Sequence, residues 1–220
     1  MEDGGRQVNK LSLRDELGAQ PDPEFEMELP RGWSRHAPDD ATLQHMLDGV
    51  KRRLMEAHKP AMFAELKLML ERSFEDMRRN GVFAFFSAAE PGPGTLAIPA
   101  SINASIRKAE PGTTLDDQVQ ILIRKHGATP LLGDKRTLRV ESERSARVGT
   151  DTLIHHSVMY LTPVPRARRR RALQLVAGFA RTPDTAPDDP ALEATRLLFD
   201  SCAGTVVRWR PDAESRRVRQ

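Results

Sequence analysis

The chain is expected to fold as an α+β domain, an antiparallel β-sheet flanked by helices. Three observations predict this. The strand-like runs Leu153–Val164 and Ala172–Thr182 are joined by a short turn and read as a long hairpin. A helical segment, Ala191–Ala203, follows and can lie across that hairpin to bury a shared apolar face. Upstream, two helical patterns and a second hairpin-like pair supply further layers for one core.

Met1–Pro23 shows little periodicity and reads as a flexible leader. Glu24–Leu29 alternates Phe25, Met27 and Leu29 against glutamates, the pattern of a half-buried strand. Pro30-Arg31-Gly32 ends it, and Trp33 is expected to plug one end of the core.

Ala41–Ala57 places Leu43, Met46, Leu47, Val50 and Leu54 at helical spacing, with Asp39 or Asp40 as N-cap. Pro60 opens a second helix, Ala61–Arg79, because proline suits the first helical turn; a kink at His58–Pro60 in one long helix is the alternative. Asn80-Gly81 stops it, since both residues tolerate a left-handed backbone. The methionines Met46, Met55, Met62, Met69 and Met77 read as ordinary core filling, with an adaptable partner groove as the sharper alternative.

Val82–Ala88 and Thr95–Ile106 read as strands joined by the breaker loop Glu90–Gly94. That glycine-rich loop precedes no helix and lacks a Lys-Ser/Thr ending, so it is not a phosphate loop. Thr113 or Thr114 is expected to cap a helix, Leu115–His126, with Leu115, Val119, Leu122 and Ile123 as its buried face and Gly127 as its stop. Thr129–Glu143 carries short strand signals, with a turn or brief strand at Leu131–Gly133. In Ala172–Thr182 both alternating sets are largely apolar, as in a central strand covered on both faces. Thr205–Trp209 is a candidate edge strand, and 210–220 reads as a polar, disordered tail. The domain is therefore expected to span 24–209.

The chain of 220 residues is 39% hydrophobic and 30% charged, a composition that can bury a core. No apolar run approaches the ~20 residues that span a bilayer, and the polar start does not resemble a secretory signal. A cytoplasmic location is the expectation. Cys202 is the only cysteine, which excludes an internal disulfide and thiolate clusters. In its helical apolar setting it reads as a small buried hydrophobe.

No catalytic or cofactor motif stands out. His155 and His156 adjoin on a strand, so their rings point to opposite faces and cannot share one metal. His36, His45, His58 and His126 lack ligand spacing, and Ser157 and Ser201 lack a nucleophile-elbow context. The acidic pairs Asp39-Asp40, Asp116-Asp117 and Asp188-Asp189 sit at helix starts, where capping explains them. No enzyme activity, metal or cofactor is expected.

The strongest local anomaly is the turn carrying Arg166, Arg168, Arg169, Arg170 and Arg171. Guanidinium groups can grip a carboxylate or phosphate surface through two parallel bonds. The alternative is a solvated hairpin tip that discourages edge aggregation. No aromatic residue interleaves with these arginines, unlike a surface on which nucleic-acid bases stack.

Phe25-x-x-x-Leu29-Pro30-x-Gly32-Trp33 resembles the first strand and exit turn of PsbP-like and LpqN-like proteins, and Thr114-Leu115-Asp116 is similar to their mid-chain helix start. The similarity spans Phe25 to Trp209. It implies an α/β/α sandwich around an antiparallel sheet, and a binding or scaffolding role in a bacterial, actinobacterial-type protein. Unlike the lipoprotein members, this chain shows no lipidated cysteine. The expected function is a non-catalytic protein-interaction module, accessory or chaperone-like and secretion-linked, acting on an unidentified protein partner. The alternatives are a nucleic-acid or anionic-surface binder working through the arginine turn, and a small-ligand carrier with a pocket between sheet and helices.

Overall fold

The structure, a computed structural model, describes residues 24–88, 95–96, 98–109, 112–148, 151–165, 167, 170–206 and 208–210. The leader, the loop 90–94, Arg166, Arg168, Arg169 and the tail from 211 lie outside the described residues.

The architecture is α+β. In chain order the elements are β1 (Glu24–Glu26), β2 (Trp33–His36), α1 (Asp40–Glu56), α2 (Pro60–Arg79), β3 (Val82–Ala88), β4 (Ala100–Lys108) and α3 (Leu115–His126). Then come β5 (Thr129–Leu131), β6 (Asp134–Val148), β7 (Asp151–Pro163), β8 (Arg171–Arg181), α4 (Pro190–Gly204) and β9 (Arg208–Arg210). Seven strands form one antiparallel sheet in the order β2-β3-β4-β8-β7-β6-β5. β8 sits at its centre, where a strand apolar on both sides belongs.

Strand alternation sorts the core onto two faces. Leu173, Leu175, Ala177 and Phe179 of β8 point to one side with Ile102, Val158 and Tyr160. There α4 packs through Phe199, whose ring meets Trp33 and Phe179 at 6.5 and 6.1 Å. Burying Phe199 contributes about 2–3 kcal/mol. On the other side Leu115 of α3 packs on Leu161 and Ala172, and Phe74 of α2 meets Phe85 edge-on at 5.5 Å. Helices therefore cover both faces of the sheet.

Several elements depart from the sequence expectation. The first strand stops at Glu26 and pairs with β9, Phe25 opposite Trp209, as a separate two-stranded ribbon. Trp33 does enter the core, but it also opens β2, a strand the polar Ser34-Arg35-His36 run concealed. β4 starts at Ala100 and not at Thr95, because Pro99 has no N–H for the ladder. β6 runs for 15 residues and so absorbs the short strand signals. Ile123 of α3 is exposed and not buried.

Helix ends follow local chemistry. Asp39 accepts from Thr42 N at 2.8 Å, and Thr114 forms a reciprocal capping box with Asp117. Pro60 opens α2 after His58, whose positive φ of 55° marks a true break. Among the described residues no helix is long and apolar enough to cross a membrane.

Candidate functional site

Arg170 and Arg171, the described arginines of the turn, sit at one end of the central strands. Register places Lys108 opposite Arg171 and Arg107 opposite Ala172, and Arg170 accepts at its carbonyl from Ala109 N at 3.0 Å. Arg107 shares the α3 face with Ala172 while Lys108 and Arg171 share the opposite face, so basic residues from two strands and a turn border both faces of this end. The sequence reading named only the turn's share of them.

His155 and His156 point to opposite faces. His155 lies over Gly178, where a Cβ would stand 3.1 Å from the imidazole, and burial followed by the neighbouring His156 lowers its pKa. His156 stacks on Phe179 at 4.8 Å and meets Glu143 Oε1 through Nδ1 at 3.2 Å. Arg181 closes the group. It donates to both Glu143 oxygens, at 3.3 and 3.2 Å, and to the Thr185 carbonyl at 2.7 Å. The hydrogen bonds from His156 and Arg181 hold the Glu143 carboxyl below its usual range. An open groove of about 410 Å³ adjoins it, lined by Glu141, Glu143, Asp188, Glu193 and Arg196. The nearby hydroxyls Ser142 and Ser157 bond to each other at 3.2 Å. A histidine–glutamate pair is present, but no hydroxyl stands at bonding distance from it among the described residues. Among the described residues no three His, Cys, Asp or Glu side chains converge as metal ligands.

On the same face, Asp200 of α4 accepts at Oδ1 from Tyr160 and from Arg139. Arg139 also donates to Glu141. This cluster ties α4 to β6 and β7. Cys202 is buried under α4, and burial pushes its thiol up to about 11, the setting of an inert core cysteine.

The largest difference from expectation lies on the helical hairpin. Arg78 near the end of α2 pairs with Asp40 at the start of α1 at 2.7 Å, so the helices run antiparallel. Leu47 is the buried residue of α1 and Phe74 that of α2. Met55, Met62 and Met69 are 40%, 46% and 44% exposed, and Leu68 is 55% exposed. These methionines do not fill the core. Met62, Leu66 and Met69, at i, i+4 and i+7, share one face of α2. Met55 and Met62 lie at the loop end of the hairpin.

Helical periodicity reveals an apolar stripe without saying what covers it. The Asp200 cluster escaped the sequence reading because its partners lie 40 and 61 residues apart. No family model matches this chain, and no curated protein matches it.

Proposed function

We propose that this chain is a non-catalytic protein-interaction module, an accessory or chaperone-like factor, which docks an amphipathic helix of a partner protein on the exposed flank of the α1–α2 hairpin. The observation that carries this reading is the exposure of Met55, Met62 and Met69 on one two-helix element. Methionine is flexible and polarisable, which suits a surface that must fit another protein. The stripe Met62–Leu66–Met69 has helical period and spans roughly 10 Å at 1.5 Å per residue. Those are the dimensions of a helix-in-groove contact. Glu65, Lys67, Glu71 and Arg72 surround the stripe with both signs of charge. A partner helix can match mixed signs, whereas an anionic membrane surface favours an excess of basic residues. The resemblance to PsbP-like and LpqN-like proteins implies a binding role and supports the same reading. A bacterial, cytoplasmic setting belongs to it.

Photo-crosslinking from positions 62 and 69 in the native host tests this reading. Its expected result is one partner protein that, once purified, binds the chain directly. Cross-links only between copies of this chain overturn it and assign the surface to self-association.

A further inference from the structure

We propose that the cleft between α3 and the sheet is a second binding site, independent of the hairpin, for a small amphiphilic anion that also carries a hydroxyl group. The cleft holds about 330 Å³, the lower end of the range for small-molecule sites. Its floor is apolar: Met159 and Leu161 from β7, and Leu122 and Ile121 from α3. Ile121 is a large aliphatic residue left 49% exposed on this helix. Such a floor favours a short acyl chain or a fused aromatic body over a bare inorganic ion.

Two amides stand at the wall of this space. Gln118 from α3 and Gln174 from β8 both line it. The Oε1 atom of each is buried and has no hydrogen-bond partner among the described residues. A buried acceptor left unpaired costs on the order of 1–3 kcal/mol, so a turn of either amide toward a donating hydroxyl in the cleft recovers that loss. A hydroxyl both donates and accepts, so it serves an amide in either orientation.

Charge selects the headgroup. Asp117 lines the cleft as a charged carboxylate, held toward the helix start by Thr114 N and Oγ1, each at 2.8 Å. Arg107 lines the cleft with no ion pair among the described residues, and Arg170, whose carbonyl accepts from Ala109 N, lies near it at the strand end. Arg107 and Arg170 outnumber Asp117 at this rim, and a guanidinium that faces the cleft favours a carboxylate or phosphate.

Anilinonaphthalene sulfonate, an aromatic anion with an N–H donor, is the probe. It is titrated into the full chain and displaced with hydroxydecanoate, decanoate, decyl phosphate or decyltrimethylammonium. The expected result is a single site from which the anions displace the probe and the cation does not. Hydroxydecanoate should displace it more tightly than decanoate, and displacement by decyl phosphate also supports the site. Arg107→Gln and Ile121→Glu, both at exposed positions where folding is preserved, should weaken probe binding about tenfold or more, equivalent to about 1.4 kcal/mol. Unchanged binding in both variants, or equal displacement by the cation, overturns the proposal and places the probe elsewhere, as on the hairpin methionines.

Discussion

The Tyr160 hydroxyl donates to Asp200 Oδ1 at 2.6 Å, and the same oxygen accepts from Arg139 Nε at 2.7 Å. Tyr160 is 1% exposed. Burial, followed by the hydrogen bond to Asp200, drives its ionisation far above the ordinary tyrosine range. The phenol therefore stays a donor at any working pH, and the contact acts as a latch between β7 and α4. Removing the hydroxyl in Tyr160→Phe should cost about 1–2 kcal/mol, the scale of a hydrogen bond to a charged group. Asp200→Ala should cost more, about 3 kcal/mol, because it leaves a half-buried guanidinium and a buried phenol short of an acceptor. Urea unfolding measures both. Shifts below about 0.5 kcal/mol in the two variants would show that the latch contributes nothing.

Gly32 and Gly81 separate backbone freedom from space. Both have positive φ, 80° and 66°. A Cβ on Gly32 would lie 2.5 Å from Thr95 Oγ1 and 2.7 Å from Thr95 Cα, whereas one on Gly81 would meet nothing within 4 Å. The Gly32 turn must stay tight because Arg31 accepts from Leu96 N at 3.0 Å and Trp33 Nε1 donates to the Leu96 carbonyl at 2.9 Å. Gly81→Ala should cost about 1 kcal/mol from the left-handed backbone alone. Gly32→Ala should cost clearly more, about 3 kcal/mol, since it also displaces the backbone at Thr95. Equal melting temperatures for the two variants would contradict this account of the turn.

Acid should weaken the fold in two steps. His36 stacks on Phe85 at 5.1 Å beneath the helical hairpin, and its pKa is lowered by burial and then by His45. His155 is lowered as well, first by burial. A group with a depressed folded pKa contributes its full stability above its unfolded value and loses it as pH falls. The first loss therefore begins below about pH 6.5, the ordinary histidine value. Glu143 is also depressed, so its contribution persists to lower pH and is lost only below about 4.5, as the carboxylate protonates. Unfolding free energies at about pH 7.5, 6.5 and 5.5 should fall in the wild-type chain and fall less steeply in His36→Asn. An unchanged slope in His36→Asn removes His36 from this step.

The parts of the fold that could be read in the chain have signals confined to one element. β8 shows its central position through apolar residues at both parities, and α3 through Thr114, Asp117 and Gly127. Other parts depend on partners that periodicity does not contain. β2 is four residues, Trp33-Ser-Arg-His, and becomes a strand only by pairing with β3. The β5–β6 turn uses Leu132 at a φ of 47°, where a turn-forming Asn or Asp is the usual sign. The second half of β6, Glu141-Ser-Glu-Arg-Ser, carries polar residues on both sides and offers no alternation. The sites share this limit. Gln118 and Gln174 line one cleft only after α3 lies on the sheet, and the methionine stripe of α2 looks the same in sequence whether buried or exposed.

The most direct test of the binding role is a calorimetric titration of the purified cross-linked partner into the wild-type chain and into the double variant Met62→Glu, Met69→Glu. The account predicts one-to-one binding with a negative heat-capacity change, the mark of apolar burial. It predicts an affinity loss of about a hundredfold in the double variant, equivalent to about 2.7 kcal/mol, with an unchanged melting temperature. Undiminished affinity in that variant would contradict the assignment of the hairpin as the docking surface.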